Sequence, residues 1–168
     1  MFQTDEYVFY GSGGICRITD IQTAPLDNMP ADRLYYVMQS IHDQNGVIYV
    51  PVDSDCVFLR RLLNREEAEA LLDEIPAVGT IEESNAKLLR SKYTEAMRTH
   101  EPLEWVRVIK TVYRRTGEKA GRAQRLSETE RSFAESAKRY LYSELALALG
   151  LKDTDMESYI TEHIRRMA

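Results

Sequence analysis

The sequence predicts an α+β chain, a small antiparallel β-barrel followed by an all-helical domain of about five helices, and three observations carry that expectation. Short apolar-polar alternating runs separated by turn residues fill the first sixty or so of the 168 positions. From Asn64 onward, apolar residues recur at helical spacing, with capping and breaking residues between the periodic segments. The period changes near residues 60 to 64, which places a β domain at 1–62 and a helical domain at 63–168.

The first strand-like run, Tyr7 to Tyr10, leads into YGSGGICRITDI, Tyr10 to Ile21, where three glycines follow an apolar segment. A glycine loop that cradles phosphate feeds a helix, whose free N–H groups and dipole meet the anion. Here Ile15-Cys16-Arg17-Ile18-Thr19-Asp20-Ile21 alternates with the period of a half-buried strand, and no Gly-Lys-Ser/Thr ending occurs. Gly11, Gly13 and Gly14 are therefore read as turn residues supplying positive φ. Further strands are expected at Leu34 to Ser40, Val47 to Val52 and Val57 to Leu59, with Pro25 and Pro30 marking the loop before the third. Asp43-Gln44-Asn45-Gly46 carries the Asn-Gly hairpin signal. Five short strands in about sixty residues fit a strongly bent barrel of the SH3 or Tudor kind, which binds partners more often than it catalyses.

In the second part, Asn64 caps a helix with Glu66 and Glu67 in its first turn and an apolar stripe of Ala68, Leu71, Leu72 and Ile75, ended by Pro76 and Gly79. A helix from about Ser84 to His100 turns Leu88, Leu89, Tyr93 and Met97 to one face. The next runs from Pro102 to about Thr116, with Trp105, Ile109, Val112 and Tyr113 lining it. Ser127 and Glu130 form a capping box opening a long helix to about Leu149, with Phe133, Ala137, Tyr140, Leu141, Leu145 and Ala148 inward and Gly150 closing it. A last helix spans about Asp155 to Arg166.

Composition narrows the function classes. No apolar run approaches the roughly 20 residues of a membrane span, and MFQTDEYVFY lacks the basic-then-apolar order of a secretory signal, so a cytoplasmic protein without membrane contact is expected. Cys16 and Cys56 have no CxxC pattern or nearby histidine pair, which leaves them as buried reduced thiols. His42, His100 and His163 are scattered and read as solvated. Glu66-Glu67-Glu69 and Asp73-Glu74 are read as outward, solubilising carboxylates. Serine nucleophile elbows and HExxH helices are absent, so neither an enzyme, a metal nor a cofactor is motivated.

The net charge of −5 conceals an uneven distribution. Residues 1–60 carry 3 basic and 8 acidic side chains, whereas residues 106–140 carry 10 basic and 4 acidic ones. Within that island lies YRRTGEKAGRAQR, Tyr113 to Arg125, expected as a helix end and a flexible glycine-containing loop. Arg114, Arg115, Lys119, Arg122 and Arg125 there, with Arg131 on the next helix, either reach phosphates or pair with acids elsewhere in the chain.

Several of these segments, in order and spacing, resemble the CarD or CdnL group of bacterial transcription regulators. Tyr10-Gly11 with Gly13-Gly14 resembles the family's Tyr-Pro-x-x-Gly-x-Gly turn, with glycine in place of proline. Tyr35-Tyr36-Val37 and Tyr49-Val50-Pro51-Val52 are similar to its third and fourth strands, and Leu62 to Leu71 to its linker and first helix. Ile109 to Arg115, Leu126-Ser127 with Glu130-Arg131, and Tyr142-Ser143-Glu144-Leu145-Ala146 complete the resemblance, which covers nearly the whole chain.

The resemblance implies a non-enzymatic protein that needs no cofactor. Its front module, also found in the transcription-repair coupling factor, would dock on the RNA polymerase β subunit by adding a strand to the polymerase's own sheet. On this chain that implies an edge at Ile21, Gln22 and Thr23 with Tyr49 beside it. The helical domain would meet promoter DNA through Arg114, Arg115, Arg122 and Arg131, together with Arg90 and Lys92, stabilising the open complex. The family's minor-groove tryptophan is replaced, since Asn85-Ala86 stands where Asn-Trp is usual. Trp105, the one tryptophan, falls on an apolar stripe and is read as core. Two readings follow, a regulator that joins polymerase to promoter DNA and an adaptor that binds polymerase or another partner without touching DNA.

Overall fold

The computed structural model describes residues 1–11 and 13–168. The chain divides into two compact units, Met1–Leu62 and Leu63–Ala168.

The first unit holds strands β1 (Tyr7–Tyr10), β2 (Gly14–Thr23), β3 (Leu34–Ser40), β4 (Ile48–Pro51) and β5 (Leu59–Arg61). They form one antiparallel sheet in the order β4-β3-β2-β1-β5. Among the described residues no ladder joins β4 to β5, so the sheet is open and the expected barrel is not closed. The two outer strands have only four and three residues, too few rungs to fix a closing register.

The core of this unit is one face of the sheet, where Val8, Cys16, Ile18, Tyr36, Met38 and Val50 are buried. A β-bulge between Ile18 and Asp20 explains a feature of the sequence. Three residues apart, Ile18 and Ile21 would point to opposite faces of a regular strand. The extra residue restores the phase, so Ile18 lies opposite Met38 and Ile21 opposite Tyr36, both against the core.

Among the three glycines expected to supply positive φ, Gly14 has it, at 72°. It opens a strand and not a helix, which leaves the loop without a phosphate-binding helix terminus. Gly13 matters for space, because a Cβ there would come within 2.8 Å of the Tyr10 ring. The β3–β4 connection spans residues 41–47, one residue more than expected, and neither Asn45 nor Gly46 has the positive φ of the expected Asn-Gly turn. The Asp43 carboxylate accepts the Asn45 amide proton at 3.0 Å and shapes that turn. Cys16 is buried, but Cys56 is exposed, contrary to expectation, because it lies in the turn-rich segment before β5.

The second unit holds α1 (Arg65–Glu74), α2 (Ala86–Arg98), α3 (Pro102–Gly121), α4 (Glu128–Leu149) and α5 (Met156–Met167). Asn64 and Glu67 form a complete capping box at the start of α1. Asn85 caps α2 by accepting the Lys87 and Leu88 amide protons. Gly150, at φ 69°, closes α4 in the left-handed conformation that favours glycine. Trp105 is fully buried, with its ring 5.6 Å from that of Tyr140, and it shares the interior with Tyr93, Leu72, Ile81, Leu145 and Met156.

Two expected inward residues face solvent, Leu88 at 52% and Tyr113 at 83% exposure. On α2 the buried row is Leu89, Tyr93 and Ala96, spaced four and three apart, and Leu88 stands about 100° from Leu89 around the axis. On α3 the buried residues Trp105, Val108 and Val112 follow the same spacing and leave Tyr113 outside it. Helix α3 also runs to Gly121, past the end expected near Thr116. Gly117 costs the helix about 1 kcal/mol relative to alanine, too little to stop one whose earlier turns are packed. Most of the basic stretch is therefore helix and not flexible loop. Among the described residues no helix is long and apolar enough to cross a membrane.

Candidate functional site

The first candidate is a length of open backbone on β2. Strand β1 pairs with β2 only from Gly14 to Arg17. Its last neighbouring contacts are the bonds from Asp5 N–H to the Ile18 carbonyl (2.7 Å) and from Ile18 N–H to the Glu6 carbonyl (2.9 Å). Beyond the bulge, Asp20 to Thr23 pair with β3 on one side and have no strand on the other among the described residues. Antiparallel pairing alternates which residues face the partner. Ala24 donates to the Arg33 carbonyl, so Gln22 also faces β3, whereas Ile21 and Thr23 turn their N–H and C=O groups outward.

The Ile21 amide is not left open. Its proton is accepted by the Asp20 Oδ1 at 2.8 Å, and the Asp20 Oδ2 accepts from the Gln22 amide at 2.6 Å. These two bonds, the Gln22 contact first, hold the Asp20 carboxyl below the usual carboxylate range. Gln22 and Thr23 are exposed, and Ile21 rests partly against the core.

Tyr49 does not sit beside this edge. It lies on β4 opposite Val37 of β3, so a whole strand separates it from β2. The outer side of β4 is a poor template for another strand, because Pro51, which faces outward with Tyr49, has no N–H to give.

The basic residues that the resemblance assigns to DNA fall into three groups. Arg114 is held by Glu82 and Thr80, donates to the Ile81 carbonyl at 3.2 Å and lies 3.5 Å from Glu118. Bonds from Thr80 and then Arg114 hold the Glu82 carboxyl below its usual range. Lys92 approaches the same segment, 3.2 Å from Glu83. Arg115 is paired with Glu130, which also accepts the Tyr93 hydroxyl proton at 2.7 Å, and the Glu130 bond raises the Arg115 pKa further. Glu130 thus does not complete the expected capping box. Ser127 accepts its amide proton, but its carboxylate is spent on Arg115 and Tyr93.

Arg90, Arg122 and Arg131 form the remaining group, together with Arg125. All four are exposed and have no carboxylate partner among the described residues. Arg90 lines a small open pocket with Ala86, Arg115, Ser127, Thr129 and Glu130. Arg122 and Arg125 follow the end of α3, and Arg131 stands on the first turns of α4. Sequence reasoning did not single out Asp20 or Glu82, and read Glu130 only as a cap. Their roles depend on a bulge and on the packing of distant segments, neither of which has a local signature.

His163 is not merely solvated, since its Nε2 lies 2.7 Å from the Asp73 carboxylate. Among the described residues no cluster of histidine, cysteine and carboxylate side chains is arranged to hold a metal ion.

Both units match known families. Residues 2–63 match the CarD-like/TRCF RID domain, and residues 80–161 match the CarD C-terminal domain. The chain belongs to the CarD-like family. No curated protein matches it. As a CarD-like transcription factor the chain interacts with RNA polymerase, and the members of this family are non-enzymatic regulators.

Proposed function

We propose that this CarD-like protein docks on the RNA polymerase β subunit through the outward side of β2 at Ile21, Gln22 and Thr23, and that its helical unit holds promoter DNA and so stabilises the open complex. The observation that carries the docking half is the one-sided pairing of β2 beyond its bulge, which leaves the Ile21 carbonyl and the Thr23 N–H and C=O facing outward. Unpaired edge groups are what strand addition consumes. Tyr49, one strand away, belongs to a neighbouring surface and not to the added rung.

For the DNA half, the exposed cations Arg90, Arg122, Arg125 and Arg131 are the phosphate contacts. Arg114, Arg115 and Lys92 act within the fold, because each already faces a carboxylate. With Ala86 at the start of α2 and Trp105 buried, no aromatic wedge enters the minor groove at that place. DNA is held by charge alone, a contact that weakens steeply with salt. Acting where polymerase acts, the protein is cytoplasmic, and it works by binding and not by catalysis.

The adaptor reading draws on the same neutralised arginines, which reduce the effective charge of the basic island. The lifetime of polymerase–promoter open complexes separates the two. The full chain is expected to lengthen it, and Arg122→Ala with Arg131→Ala to shorten it again without changing polymerase affinity. A lifetime indifferent to both substitutions supports the adaptor.

A further inference from the structure

Asp20 sits at the point where an added strand would make its first hydrogen bond. Its carboxylate already occupies the Ile21 N–H at 2.8 Å and is steadied from the far side by Gln22 at 2.6 Å. Among the described residues it has no cationic partner. Asp20 is exposed, and the bonds that hold it lower its pKa, so it carries its charge at neutral pH. The groups left for a partner are the Ile21 carbonyl and the N–H and C=O of Thr23.

We propose that Asp20 is a specificity lock on the β2 edge: it stops two copies of this chain from pairing along β2 and admits a strand that carries a basic side chain to meet its carboxylate. This inference rests on the docking reading above and adds the chemistry of the partner. Two physical steps support it. An incoming strand must displace the carboxylate from the Ile21 amide, and a displaced carboxylate that gains a guanidinium or ammonium offsets the bond it gave up. A second copy offers the reverse, another Asp20 from a unit that carries 3 basic and 8 acidic residues in its first sixty positions, so like charges meet. Charged side chains on an exposed edge are a common protection against self-pairing. The partner is accordingly an extended polymerase strand with lysine or arginine opposite Asp20.

The test uses the full chain as wild type, Asp20→Asn and Asp20→Lys. Binding to purified RNA polymerase is measured at 50 and 200 mM salt, and self-association by sedimentation. Asparagine keeps an oxygen for the Ile21 amide and removes the charge, and its new N–H2 group meets Gln22 once that side chain turns its oxygen inward. Asp20→Asn is expected to bind polymerase on the order of tenfold more weakly at the lower salt and with a flatter salt dependence, and Asp20→Lys more weakly still. Asp20→Asn is also expected to self-associate at concentrations where wild type stays monomeric. Equal polymerase affinity of wild type and Asp20→Asn at both salts overturns the proposal, as does a wild type that dimerises as readily as the variant. If wild type fails to bind polymerase at all, the docking reading falls, and the sedimentation comparison still decides whether Asp20 guards the edge.

Discussion

Arg115 and Glu130 meet edge to edge, with Nε 2.5 Å from Oε2 and Nη2 3.3 Å from Oε1, and the Tyr93 hydroxyl donates to the same carboxylate. Three helices are joined at this point, α2 through Tyr93, α3 through Arg115 and α4 through Glu130. The pair is largely buried, with side-chain exposures of 21% and 11%, so removing one partner leaves the other charge poorly solvated. Glu130→Ala is expected to cost about 3 kcal/mol and Tyr93→Phe about 1 kcal/mol, with the double variant less than the sum, as seen in denaturant unfolding. Additive losses would show that the three groups do not act together.

The end of α1 is held in a different way. The Lys110 ammonium on α3 donates to the carbonyls of Ile75 at 2.9 Å, Pro76 at 3.2 Å and Val78 at 2.5 Å where the helix tightens and stops, and the Ile75 carbonyl also accepts the Val78 amide proton at 3.2 Å. Lys110→Met keeps the apolar stem and removes the three donors. Its expected cost is about 1–2 kcal/mol, read as a lowered thermal midpoint. An unchanged midpoint would mean that water replaces the ammonium without loss.

Alkaline pH tests the interior. Burial pushes the Cys16 thiol up to about 11 and the Tyr142 phenol up to about 12, and burial with the Glu130 bond raises Tyr93 as well. Each folded value lies above its unfolded one, so the folded state holds these protons more tightly. Their stability contributions are whole below the unfolded values and are lost as pH rises through the folded ones. The thermal midpoint is therefore expected to be flat near neutrality, to begin falling near pH 9 and to keep falling to pH 12. Cys16→Ala should flatten the first part of that fall, whatever its effect at neutral pH. A midpoint independent of pH across this window would contradict the assignment.

Much of this was legible in the amino-acid order, and the failures have physical causes. Asn64 with Glu67, Asn85 and Gly150 mark helix ends through bonds and dihedrals that depend on a few neighbouring residues, so their signals survive without knowledge of the fold. The amino-acid order predicts a barrel where the sheet is open, because closure depends on how far apart β4 and β5 end up, which no local pattern records. Helical spacing predicts Leu88 and Tyr113 inward, because residues one position off a helical stripe look much like stripe members until the packing direction is fixed. Among the basic residues, charge counted along the chain could not tell Arg114 and Arg115, consumed by Glu82 and Glu130, from Arg122 and Arg131. The carboxylates that consume them are 32 and 15 positions away. The bulge at Thr19 was also silent in the sequence, although Ile18 and Ile21 reach one face only because of it.

The most direct test of the outward edge is the affinity of full-length Thr23→Pro for RNA polymerase. Proline removes the one outward N–H of the edge that Asp20 does not occupy, and an edge strand tolerates it there because that group faces solvent. With far-UV circular dichroism and the thermal midpoint unchanged, a loss of at least about tenfold in polymerase affinity is predicted. Binding as tight as that of wild type would contradict the edge as the docking site.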